Sequence, residues 1–198
     1  GFHVLLIGHR NHPEVIGTLG RHPADSDTKI YLVEDHADIE QLEINSAEIA
    51  YVTQTTLSVD ETKELIEALQ LKYPQIIGPS ADDICYATQN RQDAVKQLSL
   101  ECEIVLVIGS KTSSNSNRLK ELAEKCGTKS FLIDDKTDIN IEELKHASSV
   151  GITAGASAPE EIVQEVISFL FPLGYKTVRN LSENNESMTF KLPKELAD

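Results

Sequence analysis

Five consecutive residues, Ser113-Ser114-Asn115-Ser116-Asn117, carry only hydroxyls and amides, and they lie between an apolar run ending at Gly109 and a helical pattern. One or two such side chains would serve as an ordinary helix cap. Five exceed what capping needs. Neutral donors beside the free N–H groups of a helix start are suited to holding a phosphate or diphosphate. A second polar segment, Gly8-His9-Arg10-Asn11-His12-Pro13-Glu14, places His12 and Glu14 on either side of a proline. His12 could donate to a phosphate, and Glu14 could donate or relay a proton. Glu14 is equally a favourable first-turn acid, and both readings stay open. His9 lies nearer the strand end and reads as structural. Thr153-Ala154-Gly155-Ala156-Ser157-Ala158-Pro159 sets one hydroxyl, Ser157, among small residues. That pattern permits close backbone approach to a ligand, or simply a tight turn. The fourth segment is Gln54-Thr55-Thr56-Leu57-Ser58. Cys85 follows two acids at a helix start, where the reactive thiolate is favoured. A cysteine in Ile-Cys-Tyr also reads as a buried apolar side chain, as do Cys102 and Cys126.

The elements that position these segments occur twice. Tyr31-Leu32-Val33-Glu34-Asp35 with Ala37-Asp38-Ile39 returns 100 residues later as Phe131-Leu132-Ile133-Asp134-Asp135 with Thr137-Asp138-Ile139. Leu5-Leu6-Ile7-Gly8 returns as Leu106-Val107-Ile108-Gly109. Short apolar runs of the buried parallel kind are expected at Val4–Gly8, Lys29–Val33, Ile49–Thr53, Glu103–Gly109, Lys129–Ile133 and Val150–Thr153. Helices are expected from Pro13, over Ala37–Leu42, from Ser58 to before Pro74, and over Ile84–Leu98, Ser113–Cys126, Ile141–His146 and Pro159–Leu170. Ser58 and Glu61 have the spacing of a capping box. Alternation of this kind predicts an α/β fold of two repeated βα modules, each a small parallel sheet flanked by helices. The expected boundaries are residues 1–81, 82–173 and a C-terminal tail over 174–198. Gln75–Gly78 and Pro79–Asp83 read as the junction between modules. In the tail, Glu183–Glu186 reads as a turn and Met188–Leu192 as a strand that pairs elsewhere. All four polar segments then follow strand ends, where ligands bind in such sheets. The scaffold repeats, but the polar segments do not match one another.

The net charge of −14 argues against a nucleic-acid partner, which needs a basic face. It also means that an anionic ligand depends on local neutral donors. The three cysteines, Cys85, Cys102 and Cys126, show no CxxC spacing. Their odd number fits a reducing cytoplasm, and no apolar run has the length of a membrane span. The abrupt start at Gly1-Phe2-His3 reads as a piece of something longer.

Taken in order, Gly8-His9-x-x-His12-Pro13-Glu14-Val15, Thr53-Gln54-Thr55-Thr56-Leu57-Ser58, Asp82-Asp83-Ile84-Cys85-Tyr86-Ala87-Thr88, Gly109-Ser110-Lys111-x-Ser113-Ser114-Asn115-Ser116-Asn117, Thr153-Ala154-Gly155-Ala156-Ser157-Ala158-Pro159 and Leu192-Pro193-Lys194-Glu195-Leu196 resemble the 4-hydroxy-3-methylbut-2-enyl diphosphate reductase family. The resemblance runs over essentially the whole chain. It implies a two-electron, two-proton reductive dehydroxylation of an allylic diphosphate, giving isopentenyl and dimethylallyl diphosphate. It implies a 4Fe–4S cluster held by three cysteines, fed by reduced ferredoxin or flavodoxin, in a fold of three βα modules. Thiolates suit such clusters. Carried over residue by residue, Cys85 stands at a cluster ligand. His12, Ser113, Ser114, Asn115 and Ser157 stand at diphosphate ligands. Glu14 stands at the proton source, with Thr55, or failing that Thr56, as its partner beside the substrate hydroxyl. A carboxyl beside a bound anion is the easier to protonate, since like charge disfavours ionisation. The family's first module, with two further cysteines and two further histidines, has no counterpart here, so this chain alone is expected to be inactive. The alternatives are a non-redox binding module for a phosphorylated metabolite, and a phosphosugar isomerase with Glu14 as base. Both make Cys85 dispensable.

Overall fold

Ile104-Val105-Leu106-Val107-Ile108 has no polar position on either face, and all five residues are buried. A strand of that composition is stable only at the centre of a sheet covered on both sides. In a computed structural model, which describes residues 1–80, 83–181 and 192–193, it forms the central strand of the second of two parallel sheets. The elements run β1 (His3–Ile7), α1 (Pro13–Gly20), β2 (Ile30–Val33), α2 (His36–Gln41), β3 (Ile49–Thr53), α3 (Val59–Lys72), α4 (Tyr86–Glu101), β4 (Ile104–Ile108), α5 (Ser114–Lys125), β5 (Lys129–Ile133), α6 (Ile141–Leu144), β6 (Val150–Ala154) and α7 (Glu160–Leu170). The sheet orders are β2-β1-β3 and β5-β4-β6, so the two halves share one topology. Register runs Val4↔Ile30 and His3↔Ile49 in the first sheet, and Ile104↔Lys129 and Ile104↔Val150 in the second.

The repeat extends to single hydrogen bonds. Glu34 N donates to Asp38 Oδ2 at 2.7 Å, and Asp134 N donates to Asp138 Oδ2 at 2.8 Å. Asp35 and Asp135 both cap the short helical turn that follows. One apolar cluster packs Leu5, Ile7, Val33 and Ile49 against Leu65 and Leu69 of α3. A second packs Leu106 and Ile108 against Val166 and Leu170 of α7. A third, on the opposite face of β4, packs Val105 and Val107 against Val95 and Leu119.

Several expected boundaries shift. Ser113, Pro159 and Cys85 are N-caps with extended ψ rather than helical residues, because the cap must turn the chain into the helix. Nothing in Ser99-Leu100-Glu101 breaks the pattern, so α4 runs on past Leu98. The junction is not a plain loop. Ile77 adds a parallel bridge to Ala50, with Ile77 N donating to Ile49 O at 3.0 Å. The turn at Glu183–Glu186, the strand at Met188–Leu192 save Leu192, the last residues Lys194-Glu195-Leu196 and Asp82 lie outside the described residues.

Candidate functional site

In each sheet the central strand is flanked by neighbours reached in opposite senses, and a crevice opens beyond the carboxyl ends at that switch point. The loops after β1 and β3 meet at one switch point, and those after β4 and β6 at the other. All four polar segments of the sequence stand there.

Pro13 starts α1 and His12 caps it, Nδ1 accepting Glu14 N–H at 3.3 Å. A neutral His12 therefore carries its hydrogen on Nε2, turned away from the helix and able to donate. Glu14, in the first turn, points its carboxylate at the second loop. Thr55 N donates to it at 3.1 and 3.2 Å, and Thr55 Oγ1 donates to Oε2 at 3.1 Å. Thr55 O in turn accepts Cys85 N–H at 3.0 Å. One chain of hydrogen bonds thus links Glu14, Thr55 and the backbone of Cys85. Thr56 faces the other way and donates to Ser114 Oγ at 2.9 Å. Thr55, not Thr56, touches Glu14.

The third loop opens α5. Ser113 Oγ accepts from Ser116 N at 3.3 Å and from Ser116 Oγ at 3.1 Å. Ser114 Oγ accepts from Thr56 and, at 3.4 Å, from Gln54 Nε2. Both serines serve only as acceptors in these bonds, which leaves their own O–H groups to donate outward. Asn115 is 6% exposed. Its Oδ1 accepts Ala156 N–H at 2.9 Å, tying the third loop to the fourth beside exposed Ser157. Its Nδ2 is buried without a hydrogen-bond partner. A buried donor left unsatisfied costs about 1–3 kcal/mol, so such groups call for an explanation, and a ligand supplies one. Asn117 closes the loop by donating to Lys111 O and Ser113 O, both at 2.8 Å. The helix start approaches β4 and β6 closely, because a Cβ on Gly109 or on Gly155 would fall 2.2 Å from Ser116 Oγ. Only glycine leaves room at either position.

Two residues that hold this arrangement were not singled out from the sequence. Gln54 is fully buried. Its Oε1 accepts His9 N–H at 3.0 Å, and its Nε2 donates to Thr56 Oγ1 at 2.9 Å as well as to Ser114. One amide thereby fastens three loops from both sheets. Arg118 lies outside them, donating from NH2 to His9 Nε2 at 3.0 Å and pairing with Glu121 at 2.7 Å and Glu61 at 3.4 Å. Glu61 also pairs with Lys125. The expected capping box is therefore only half formed. Ser58 Oγ accepts Glu61 N–H at 3.4 Å, while the Glu61 carboxylate is drawn across to α5 by these cations.

Partial burial works to raise the Glu61 pKa, but the hydrogen bond from Lys125 and the charges of Arg118 and Lys125 outweigh it and hold it below its ordinary value. A lowered folded-state pKa adds stability that is present above the unfolded value, near 4.3, and fades as pH falls through the folded one. Glu61→Gln should therefore lower the melting temperature at neutral pH, and the gap to the parent should close in scans below about pH 4. With the side chain 44% exposed, the neutral-pH difference should stay within about 1 kcal/mol. A gap that persists unchanged into acid would refute the assignment.

A family model described as LytB protein matches residues 1–171. The chain belongs to the LytB family. It is 54% identical over 197 residues to a 4-hydroxy-3-methylbut-2-enyl diphosphate reductase of Saccharophagus degradans, covering 99% of this chain and 63% of the relative. It is 55% identical over 199 residues to one of Chromohalobacter salexigens, again covering 63% of the relative. The solved structure of the E-1-hydroxy-2-methyl-but-2-enyl-4-diphosphate reductase from Plasmodium falciparum superposes with a TM-score of 0.89 at 32% identity, over 98% of this chain and 61% of that one. This LytB chain thus spans about 63% of the length of the reductases it matches.

The cysteines bear on the family's iron–sulfur chemistry. Cys85 is exposed, caps α4 on the site side, and its side chain makes no capping hydrogen bond. Its sulfur is available to a metal. Cys102 caps the other end of the 16-residue α4, about 24 Å away at 1.5 Å per residue. Burial pushes its thiol pKa up, which favours the protonated, inert form. Cys126 caps the far end of α5, just before the left-handed Gly127, and is exposed, contrary to the buried position expected for it. Among the described residues, no three His, Cys, Asp or Glu side chains converge as a metal site. Among the described residues, Cys85 is the one exposed thiol on the site side.

Proposed function

We propose that this chain is the second and third modules, residues 1–81 and 82–173 with a tail over 174–198, of an enzyme that reduces (E)-4-hydroxy-3-methylbut-2-enyl diphosphate to isopentenyl and dimethylallyl diphosphate. The observation that carries this reading is the donor set at the start of α5, where the unused amide nitrogen of Asn115 stands beside the unused O–H groups of Ser113 and Ser114. In a chain of net charge −14, neutral donors of this kind hold a diphosphate without a cationic pocket. His12 Nε2 and Ser157 complete the grip.

In the reaction the allylic C–O bond breaks, the hydroxyl leaves as water with one proton, and a second proton joins the allylic carbon. Cys85 would hold one corner of the 4Fe–4S cluster of the complete enzyme, which when bound and reduced by ferredoxin or flavodoxin would supply the two electrons. Glu14 is the residue placed to deliver a proton, and Thr55 fixes its carboxyl through its N–H and O–H groups. Free thiols and such electron donors fit a cytoplasmic enzyme.

The grip is tested by Asn115→Leu in the full-length enzyme. Losing one hydrogen bond to a charged ligand, about 1.5–3 kcal/mol, should raise the Kd for pyrophosphate by about ten- to hundredfold in titration calorimetry. An unchanged Kd would rule out this loop as the diphosphate site.

A further inference from the structure

We infer that Arg118 is a positioning residue that sets the two ends of the diphosphate grip, His12 and the Ser113–Asn115 turn, at their working separation. This rests on the diphosphate reading above and adds a residue that touches no ligand. The Arg118 side chain is only 16% exposed, so its stem is packed between the loops while its fork meets partners at the surface, His9, Glu61 and Glu121. It projects from the second turn of α5, the helix that Ser113 caps and whose first turn carries Ser114 and Asn115. NH1 pairs with Glu61 at the start of α3 and with Glu121 on its own helix. NH2 reaches the first loop at His9 Nε2. Arginine has only donors, so in this contact the ring nitrogen is the acceptor.

From His9 the link to the ligand-facing residues is continuous. His9 O accepts His12 N–H at 2.9 Å, and His12 Nδ1 accepts Glu14 N–H. On the inner side, Gln54 accepts His9 N–H and donates to Ser114. His9 is therefore held from two directions, by a buried amide and by a charged fork, and both ties run to the start of α5. A diphosphate gripped by His12 on one side and by Ser113 and Asn115 on the other feels any change in their separation. The fork geometry explains why an arginine suits this position. A lysine could meet Glu61 or Glu121 but could not span to His9 at the same time.

The test is a double-mutant cycle in the full-length reductase, with inorganic pyrophosphate as the probe in titration calorimetry. Arg118→Gln and His12→Ala should each raise Kd about tenfold. If Arg118 works through His12, the double variant should bind no more than about threefold weaker than the poorer single variant. Arg118→Lys should recover part of the loss. A wild-type Kd in Arg118→Gln, or losses that multiply to about a hundredfold, would overturn the inference while leaving the diphosphate site in place. Should Arg118→Gln fail to fold, Arg118→Lys carries the test. It should show a several-fold loss that disappears in the His12→Ala background, and a wild-type Kd would overturn the inference. If the parent enzyme itself fails to bind pyrophosphate, the diphosphate reading falls, and this inference falls with it.

Discussion

A full-length reductase carrying Cys85→Ser should lose turnover to background while its fold stands. The two effects separate because of where the sulfur sits. Cys85 is tied into the molecule through its backbone, its N–H donating to Thr55 O and its C=O accepting from Thr88 and Gln89. Its side chain makes no capping hydrogen bond. Serine keeps all the backbone bonds and adds a hydroxyl at a position where hydroxyls favour helix starts by about 1 kcal/mol. The melting temperature should therefore hold or rise slightly. Iron and sulfide content, and the electron paramagnetic resonance signal of the reduced protein, should fall, since a hydroxyl does not replace a thiolate on a soft iron–sulfur cluster. A variant that keeps its cluster signal and turnover would exclude Cys85 as a ligand, whereas a parent enzyme with neither cluster nor turnover would favour a non-redox phosphate-binding module. For the same reason this chain by itself, treated with iron and sulfide, should yield no stable cluster, because Cys102 and Cys126 stand at the far ends of their helices.

The repeated scaffold was legible in the sequence for a simple physical reason. Strands such as Ile104–Ile108 and Leu5–Ile7, buried on both faces, cannot alternate apolar with polar residues, and such runs stand out. The strand-end loops were legible because polar residues cluster where those runs stop. Gln54 was not singled out, because a glutamine after a strand looks solvated. It is buried only because three loops close over it, and one of them, through Ser114, is 60 residues away. Arg118 directly follows the polar run Ser113–Asn117. Its partners His9 and Glu61 lie 109 and 57 positions away, and no local pattern announces such a pairing. The capping box at Ser58 went half unformed for the same reason. A local rule assigned Glu61 to its own helix, and two cations on another helix outcompeted that assignment. Cys126 shows the converse limit. Composition placed a lone cysteine inside, but its place at the end of α5 put it outside.

Glu14→Gln in the full-length reductase should cut kcat by about 10²–10⁴ while pyrophosphate affinity stays within about threefold. The amide has the shape of the carboxyl, and its Oε1 can still accept from Thr55 N and Thr55 Oγ1, so the first and second loops remain joined. His12 keeps its place, because its contact with residue 14 is to the backbone N–H. The substitution therefore removes a transferable proton and little else. Thr55→Val supplies the contrast. It deletes the hydroxyl bond to Glu14 Oε2 but leaves both bonds from Thr55 N, so the carboxyl stays in the site but is less firmly oriented, and a smaller loss, about tenfold, is expected. If Glu14→Gln turned over within threefold of the parent, the proton would have to come from solvent or from the substrate's own diphosphate, and Glu14 would be left as the first-turn acid of α1 that hydrogen bonds from Thr55 fasten to the second loop. If instead pyrophosphate affinity fell along with kcat, the Glu14–Thr55 bond would be serving to shape the grip, since a group that acts only in proton transfer leaves ground-state binding unchanged. The order Glu14→Gln well below Thr55→Val in kcat, at equal pyrophosphate affinity, is the pattern that only a proton-carrying carboxyl held by Thr55 produces.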